Sequence, residues 1–199
     1  MASNPGPADA ANTAVRAFLW QAGAEVWGSR FNVKSKAGSR IWDKIKQDVF
    51  DGECMYCGVK DSDTNPDGSV VKLTVEHIEM ANRFQTGIHH PGNVGPACKS
   101  CQSRKTVNNL PESWEDVVRR VNQNNPSVIT ERIERISHHM TQGEFRLPIL
   151  SSEQKNALSI ICHRLYDDAA DEVRGAVVLY KALLTAFVEE RNPVGTPDE

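Results

Sequence analysis

No apolar run in this chain of 199 residues approaches the ~18 that a membrane-spanning helix takes. The start offers neither the charged opening nor the apolar block of a secretion signal. These two absences point to a soluble, intracellular protein of the cytoplasm with no membrane partner. Positive charge is also short. A formal net charge of −3 argues against a uniformly basic nucleic-acid coat. Apolar residues make up 39% of the chain, somewhat below the globular norm. A modest core, mobile ends and support from a metal are therefore expected. There is no internal repeat, and the length suits one compact domain or two small ones.

What is present is concentrated. Of five cysteines, four form the pairs Cys54-Met-Tyr-Cys57 and Cys98-Lys-Ser-Cys101, with Glu76-His77 between them. In a cytosolic chain such pairs favour a metal over disulfides. The fifth, Cys162, stands in an apolar helical stretch and reads as a small buried hydrophobe. Basic residues also cluster. Arg30, Lys34, Lys36, Arg40, Lys44 and Lys46 face only Asp43 within residues 28–46. That stretch is either a surface for nucleic acid, carrying Lys34, Lys36 and Arg40, or an ordinary solvated loop. The chain beyond Ser151 is acidic.

Periodicity divides the chain into five parts. Residues 1–12 lack an apolar period and read as a disordered lead-in. Residues 13–50 form a helical and basic arm, with helix stripes through Val15, Phe18, Leu19, Ala22 and Val26 and through Ile41, Trp42, Ile45 and Val49. Residues 51–110 form the chemistry-bearing module. In it, residues 70–75 read as a strand that delivers Glu76-His77, residues 93–97 as its partner strand, and residues 100–108 as a helix. Residues 111–191 are helical, in three stretches. The last opens at a capping box, Ser151-x-x-Gln154, and breaks near Asp167-Asp168. Residues 192–199 read as a flexible tail.

Four thiolates in two x2 knuckles suit tetrahedral Zn²⁺. A closed shell of four sulfurs leaves no place for water, so the ion is structural and staples a segment too small to bury its own core. Iron in the same cage and reduced, unliganded thiols are the alternatives.

At this point a resemblance becomes specific. Cys54-x-x-Cys57, Val75-Glu76-His77-Ile78, the run from His90-Pro-Gly-Asn93 to Ala97-Cys98, and Cys98-Lys-Ser-Cys101-Gln102-Ser-Arg104-Lys105 occur in the order and at the spacing of one family. Over roughly a third of its length the chain resembles the HNH endonuclease family, in its zinc-bearing ββα-metal form. The implied fold is α+β: a central ββα-metal (His-Me finger) module with a four-cysteine zinc site, flanked by α-helices on both sides. The implied activity is metal-dependent hydrolysis of phosphodiester bonds in DNA, with a double-stranded substrate and a role in restriction or phage defence. His77 is then the general base, and Asn93 orients the His77 segment through the loop backbone. Glu76 and Gln102 become ligands of a catalytic Mg²⁺ or Mn²⁺, and Arg104 and Lys105 contact phosphates. Asp is the usual residue at the Glu76 position and Asn is common at the Gln102 position. Each arm is thus one methylene longer, which suits one metal held further out or a site that has lost its ion. Glu79 is either a further metal neighbour or an unrelated surface charge, and His89 and His90 read as structural or solvent-facing. A non-catalytic zinc module that binds nucleic acid is the rival reading. A homodimer, or a larger complex with a partner subunit, stays open.

Overall fold

The computed structural model describes residues 6–64, 67–103, 106–107 and 110–191. Helix α1, Pro7–Trp27, begins inside the stretch read as a disordered lead-in, and residues 7–12 are corrected to helix. The cause is local. Pro7 sits in the first turn, where its missing N–H costs nothing. Asp9 accepts a hydrogen bond from the Gly6 N–H at 2.9 Å, which suits a carboxylate at a helix start. Gly28, in the left-handed region at φ 78°, ends the helix. Residues 1–5 and the tail 192–199 lie outside the described residues.

Ala11, Val15, Leu19 and Gly23 are buried along one stripe of α1. That stripe packs on the first half of α6, Ser152–Arg191. Val15, Leu19, Ile88 and Cys162 form the buried centre of this contact, so Cys162 does pack as a small hydrophobe. Helix α6 runs unbroken through Asp167-Asp168, which corrects the expected interruption, since neither residue blocks a helical hydrogen bond as proline would. At 40 residues it is about 60 Å long. Its outer half exposes Val178, Leu179, Tyr180 and Leu183. Among the described residues no helix is long and apolar enough to cross a membrane.

The main core surrounds the cysteine knuckles. Helix α2, Lys36–Lys44, starts on the side chain of Ser35, which accepts from the Gly38 N–H, and passes into a π turn, Ile45–Val49. Strand β1, Thr74–His77, pairs antiparallel with β2, Val94–Ala97, setting Glu76 opposite Gly95 and His77 opposite Val94. The strand thus includes Glu76 and His77 and starts later than expected. Ile45, Phe50, Met55, Tyr56, Ile78 and Val94 are fully buried around this ribbon, each worth roughly 1.5–3 kcal/mol of transfer free energy. Gly95 leaves room for Met55, whose sulfur lies 2.3 Å from where a Cβ would stand.

Past the second knuckle, α3 covers only Lys99–Gln102. Thr106–Val107 (β3) then pairs with Leu110–Pro111 (β4), where residues 100–108 were expected to be helical. β-Branched Thr106 and Val107 favour that extended pairing. Helices α4, Trp114–Val121, and α5, Pro126–Thr141, close the core. They also grip the first knuckle. Asn122 donates to the Tyr56 carbonyl at 2.8 Å, and Arg132 pairs with Glu53 at 2.6 Å.

Candidate active site and metal centre

The first knuckle is tied directly to β2, because the Met55 N–H donates to the Pro96 carbonyl at 2.8 Å. Its turn closes through Gly58, at φ 78°, whose N–H bonds the Cys54 carbonyl at 2.9 Å. The second knuckle begins where β2 ends. The sulfurs of Cys54, Cys57, Cys98 and Cys101 consequently lie within 4.8 Å of one another, with Cys57 and Cys98 3.8 Å apart. Zn–S bonds of about 2.3 Å in a tetrahedron put sulfurs roughly 3.8 Å apart. The donor set and its spacing therefore fit zinc. Hydrogen bonds from neighbouring thiols, that of Cys101 foremost, pull Cys54 down to about 7, and Cys101 likewise holds Cys98 well below the ordinary thiol range. The same contacts, together with burial, push Cys57 and Cys101 up, so the four thiols hold their protons unequally until a bound cation displaces them.

Beside the cage, β1 presents two faces. Thr74 and Glu76 share one. Gln102, on α3, donates its amide to the Thr74 hydroxyl at 2.6 Å and to the Val75 carbonyl at 3.5 Å. Its amide group is thereby held at Thr74, two residues before Glu76 on that face of the strand. Two hard oxygens suit Mg²⁺ or Mn²⁺, ions that usually keep waters and take substrate phosphate as further ligands. Among the described residues the thiol cage is the only group of three or more His, Cys, Asp or Glu ligands.

His77 ends the strand. Its Nε2 lies 2.9 Å from Nδ1 of His89, and Nε2 of His89 lies 3.0 Å from the Phe31 carbonyl. Two clefts meet at the His77 ring. One, of about 410 Å³, is lined by Trp20, Arg30, Phe31, Lys34 and His89. The other, of about 450 Å³, is lined by Asn12, Arg16, Trp20, Glu76 and Asn82. His77, the carboxylates of Glu76 and Asp9, and the cations Arg16, Arg30 and Lys34 thus line two adjoining clefts.

Asn93 is 1% exposed and spans the loop that follows His77. Its Oδ1 accepts from the Glu79 N–H at 2.8 Å. Its Nδ2 donates to the carbonyls of Glu79 and Ile88, each at 2.9 Å.

Residues 54–108 match the HNH endonuclease family model. The match begins at the first knuckle and contains all four thiols, Glu76, His77, Asn93 and Gln102. No curated protein and no solved structure matches the chain.

Around this HNH segment the expected residues fall unevenly. Lys34 lines the His77 cleft, whereas Lys36 and Arg40 sit exposed on α2, outside both clefts. Arg104 and Lys105 lie outside the described residues. Glu79 faces a separate cavity of about 300 Å³ with Asn93, Met140, Leu147, Lys155 and Leu158, and burial raises its carboxyl above the usual range. Arg30, which lines the His77 cleft, belongs to the basic stretch read from the sequence, whereas Arg16 and Trp20 reach the site from outside the HNH segment without having been expected there. No motif flags them.

Three histidines are buried with the HNH segment. His89 is 9%, His90 2% and His139 0% exposed. Burial, above all, depresses each, and His90 falls to about 4. The unfolded chain takes up these protons near pH 6.5, while the folded chain resists. Stability is therefore full above about pH 6.5 and falls as pH drops toward 4, by about 3 kcal/mol for His90 alone. Urea midpoints of the zinc-loaded chain between pH 7.5 and 5.5 measure this decline. His90→Asn keeps an acceptor near the Gly92 N–H, which His90 Nδ1 accepts at 3.0 Å, and should flatten the curve. An equally steep curve would assign the loss to other groups.

Proposed function

We propose that β1, β2 and α3 are the ββα unit of a metal-dependent endonuclease that hydrolyses phosphodiester bonds in DNA. The observation that supports this most is that Glu76 and His77 end one strand whose partner strand runs into the thiol cage, with the Gln102 amide hydrogen-bonded to that same strand. Zinc in the cage is structural, because four sulfurs complete its shell. Glu76 and Gln102 would hold a Mg²⁺ or Mn²⁺, which would supply positive charge at the scissile phosphate and the departing oxygen. His77 takes the proton of the attacking water, work suited to a neutral imidazole near pH 7. Arg16, Arg30 and Lys34 hold flanking phosphates along the two clefts, so binding weakens as salt rises. Asn93 keeps the loop after His77 closed, which holds the strand end in place. Cutting both strands of a duplex from one such site per chain takes two copies or two successive nicks.

Supercoiled plasmid provides the test. The zinc-loaded chain should nick it with Mg²⁺ or Mn²⁺ and stop when chelator removes the second metal. His77→Ala should slow cutting by roughly 10²–10⁴-fold with an unchanged melting temperature. Cutting by His77→Ala at the parent rate would refute the assignment of the base.

A further inference from the structure

We propose that His89 is a positioning residue for His77, holding its ring in the tautomer whose Nδ1 carries the lone pair. The inference rests on the proposed role of His77 as the base. A carbonyl oxygen only accepts hydrogen bonds. The Phe31 carbonyl, 3.0 Å from Nε2 of His89, therefore requires the hydrogen on that nitrogen. In the neutral ring, Nδ1 of His89 is then the acceptor. It lies 2.9 Å from Nε2 of His77, so that nitrogen must carry hydrogen in turn. In a neutral His77, the form a general base takes, the lone pair is then on Nδ1. The opposite arrangement sets the lone pair of His89 Nε2 against the carbonyl oxygen. Burial supports the neutral form, since it lowers the His89 pKa.

The His89 ring is itself held on both sides. Trp20 stacks on it with centroids 4.6 Å apart and planes 26° apart, and the Phe31 ring lies at 5.3 Å. The His89 N–H reaches the Leu19 carbonyl at 3.2 Å. Helix α1 approaches so closely that a Cβ on Gly23 would stand 2.1 Å from the His89 carbonyl oxygen. Leu19, Trp20, Gly23 and Phe31 all precede the HNH segment. The N-terminal arm thus completes the active site by locking the residue that orients the base. A purely structural His89 would need the ring alone. A positioning His89 needs the acceptor.

Two substitutions separate these roles in the full-length, zinc-loaded chain. His89→Asn places Oδ1 near the former Nδ1 and discards the ring. His89→Phe keeps the ring and discards the acceptor. Nitrogen-15 NMR of the histidine rings at pH 8 reads the His77 tautomer without any need for turnover. Hydrogen on Nε2 of His77 is expected in the parent and in His89→Asn, and a mixture of tautomers in His89→Phe. In plasmid cutting, His89→Phe should lose roughly 10–100-fold in kcat with KM little changed, and His89→Asn should recover most of that loss. Hydrogen on Nδ1 in the parent, or a His89→Phe protein with parental tautomer and kcat, overturns the proposal. A parent chain that shows the expected tautomers but never cuts DNA would defeat the nuclease reading and leave the link between the two histidines standing.

Discussion

Cys101→Ala, or exhaustive chelation, collapses the HNH segment while leaving much of the helix signal. The reason lies in how little else holds that segment. Strands β1 and β2 are four residues each and α3 is four residues, and a two-stranded ribbon of that size is marginal by itself. Structural zinc in small domains contributes ~10–16 kcal/mol, as much as the entire ~5–15 kcal/mol stability of a typical domain. The core built on Phe50, Met55, Tyr56, Ile78 and Val94 depends on the knuckles that carry it, so its near-ultraviolet signal should disappear and the cooperative melt with it. Helices α1 and α6 keep their own apolar contact through Val15, Leu19 and Cys162, so far-ultraviolet ellipticity should fall only in part. Metal analysis should give one zinc per chain in the parent and in Cys162→Ala, and none in Cys101→Ala. An unchanged melt after zinc removal would show that the four thiols only happen to be neighbours.

The centre of the molecule was legible because its constraints are local. A knuckle needs two cysteines at fixed spacing, so Cys54, Cys57, Cys98 and Cys101 announced the cage. The Glu76-His77 pair needed only a β-branched approach and a partner strand before Cys98. The support of that pair was not legible. His89 meets a backbone carbonyl 58 positions away in the chain, and every residue type offers the same carbonyl, so no side-chain pattern at Phe31 marks the contact. Trp20 and Arg16 reach the site because α1 docks on α6, a long-range event that depends on which stripe is buried. The end of α3 was misread because the pairing of β3 with β4 overrides the helical tendency of the residues after Cys101. Glu79 was ambiguous for the opposite reason. Its neighbourhood is set by Leu147, Lys155 and Leu158, far along the chain. Residues outside the HNH segment thus shape the site as much as those within it.

Asn93→Ala should cost the fold more than most single substitutions, about 2–5 kcal/mol, because one buried amide satisfies three backbone groups. Removing it strands the Glu79 N–H and the carbonyls of Glu79 and Ile88, and each unsatisfied buried group costs roughly 1–3 kcal/mol unless water or relaxation relieves it. Asn93→Asp discriminates further. A carboxylate can still accept from the Glu79 N–H, yet it cannot donate to either carbonyl and turns both contacts repulsive. Aspartate should therefore be at least as damaging as alanine near pH 7, although it differs from asparagine by one atom. Urea denaturation gives the stability loss, and hydrogen exchange should show faster opening of residues 78–88 than of α5. Because the Ile78 N–H also bonds the Asn93 carbonyl at 2.9 Å, the backbone joint would persist while the side-chain clamp is lost. The strand end bearing His77 would then loosen without detaching, and cutting should weaken in kcat more than in KM. An Asn93→Asp protein as stable as the parent would show that the clamp is dispensable and that the loop holds itself.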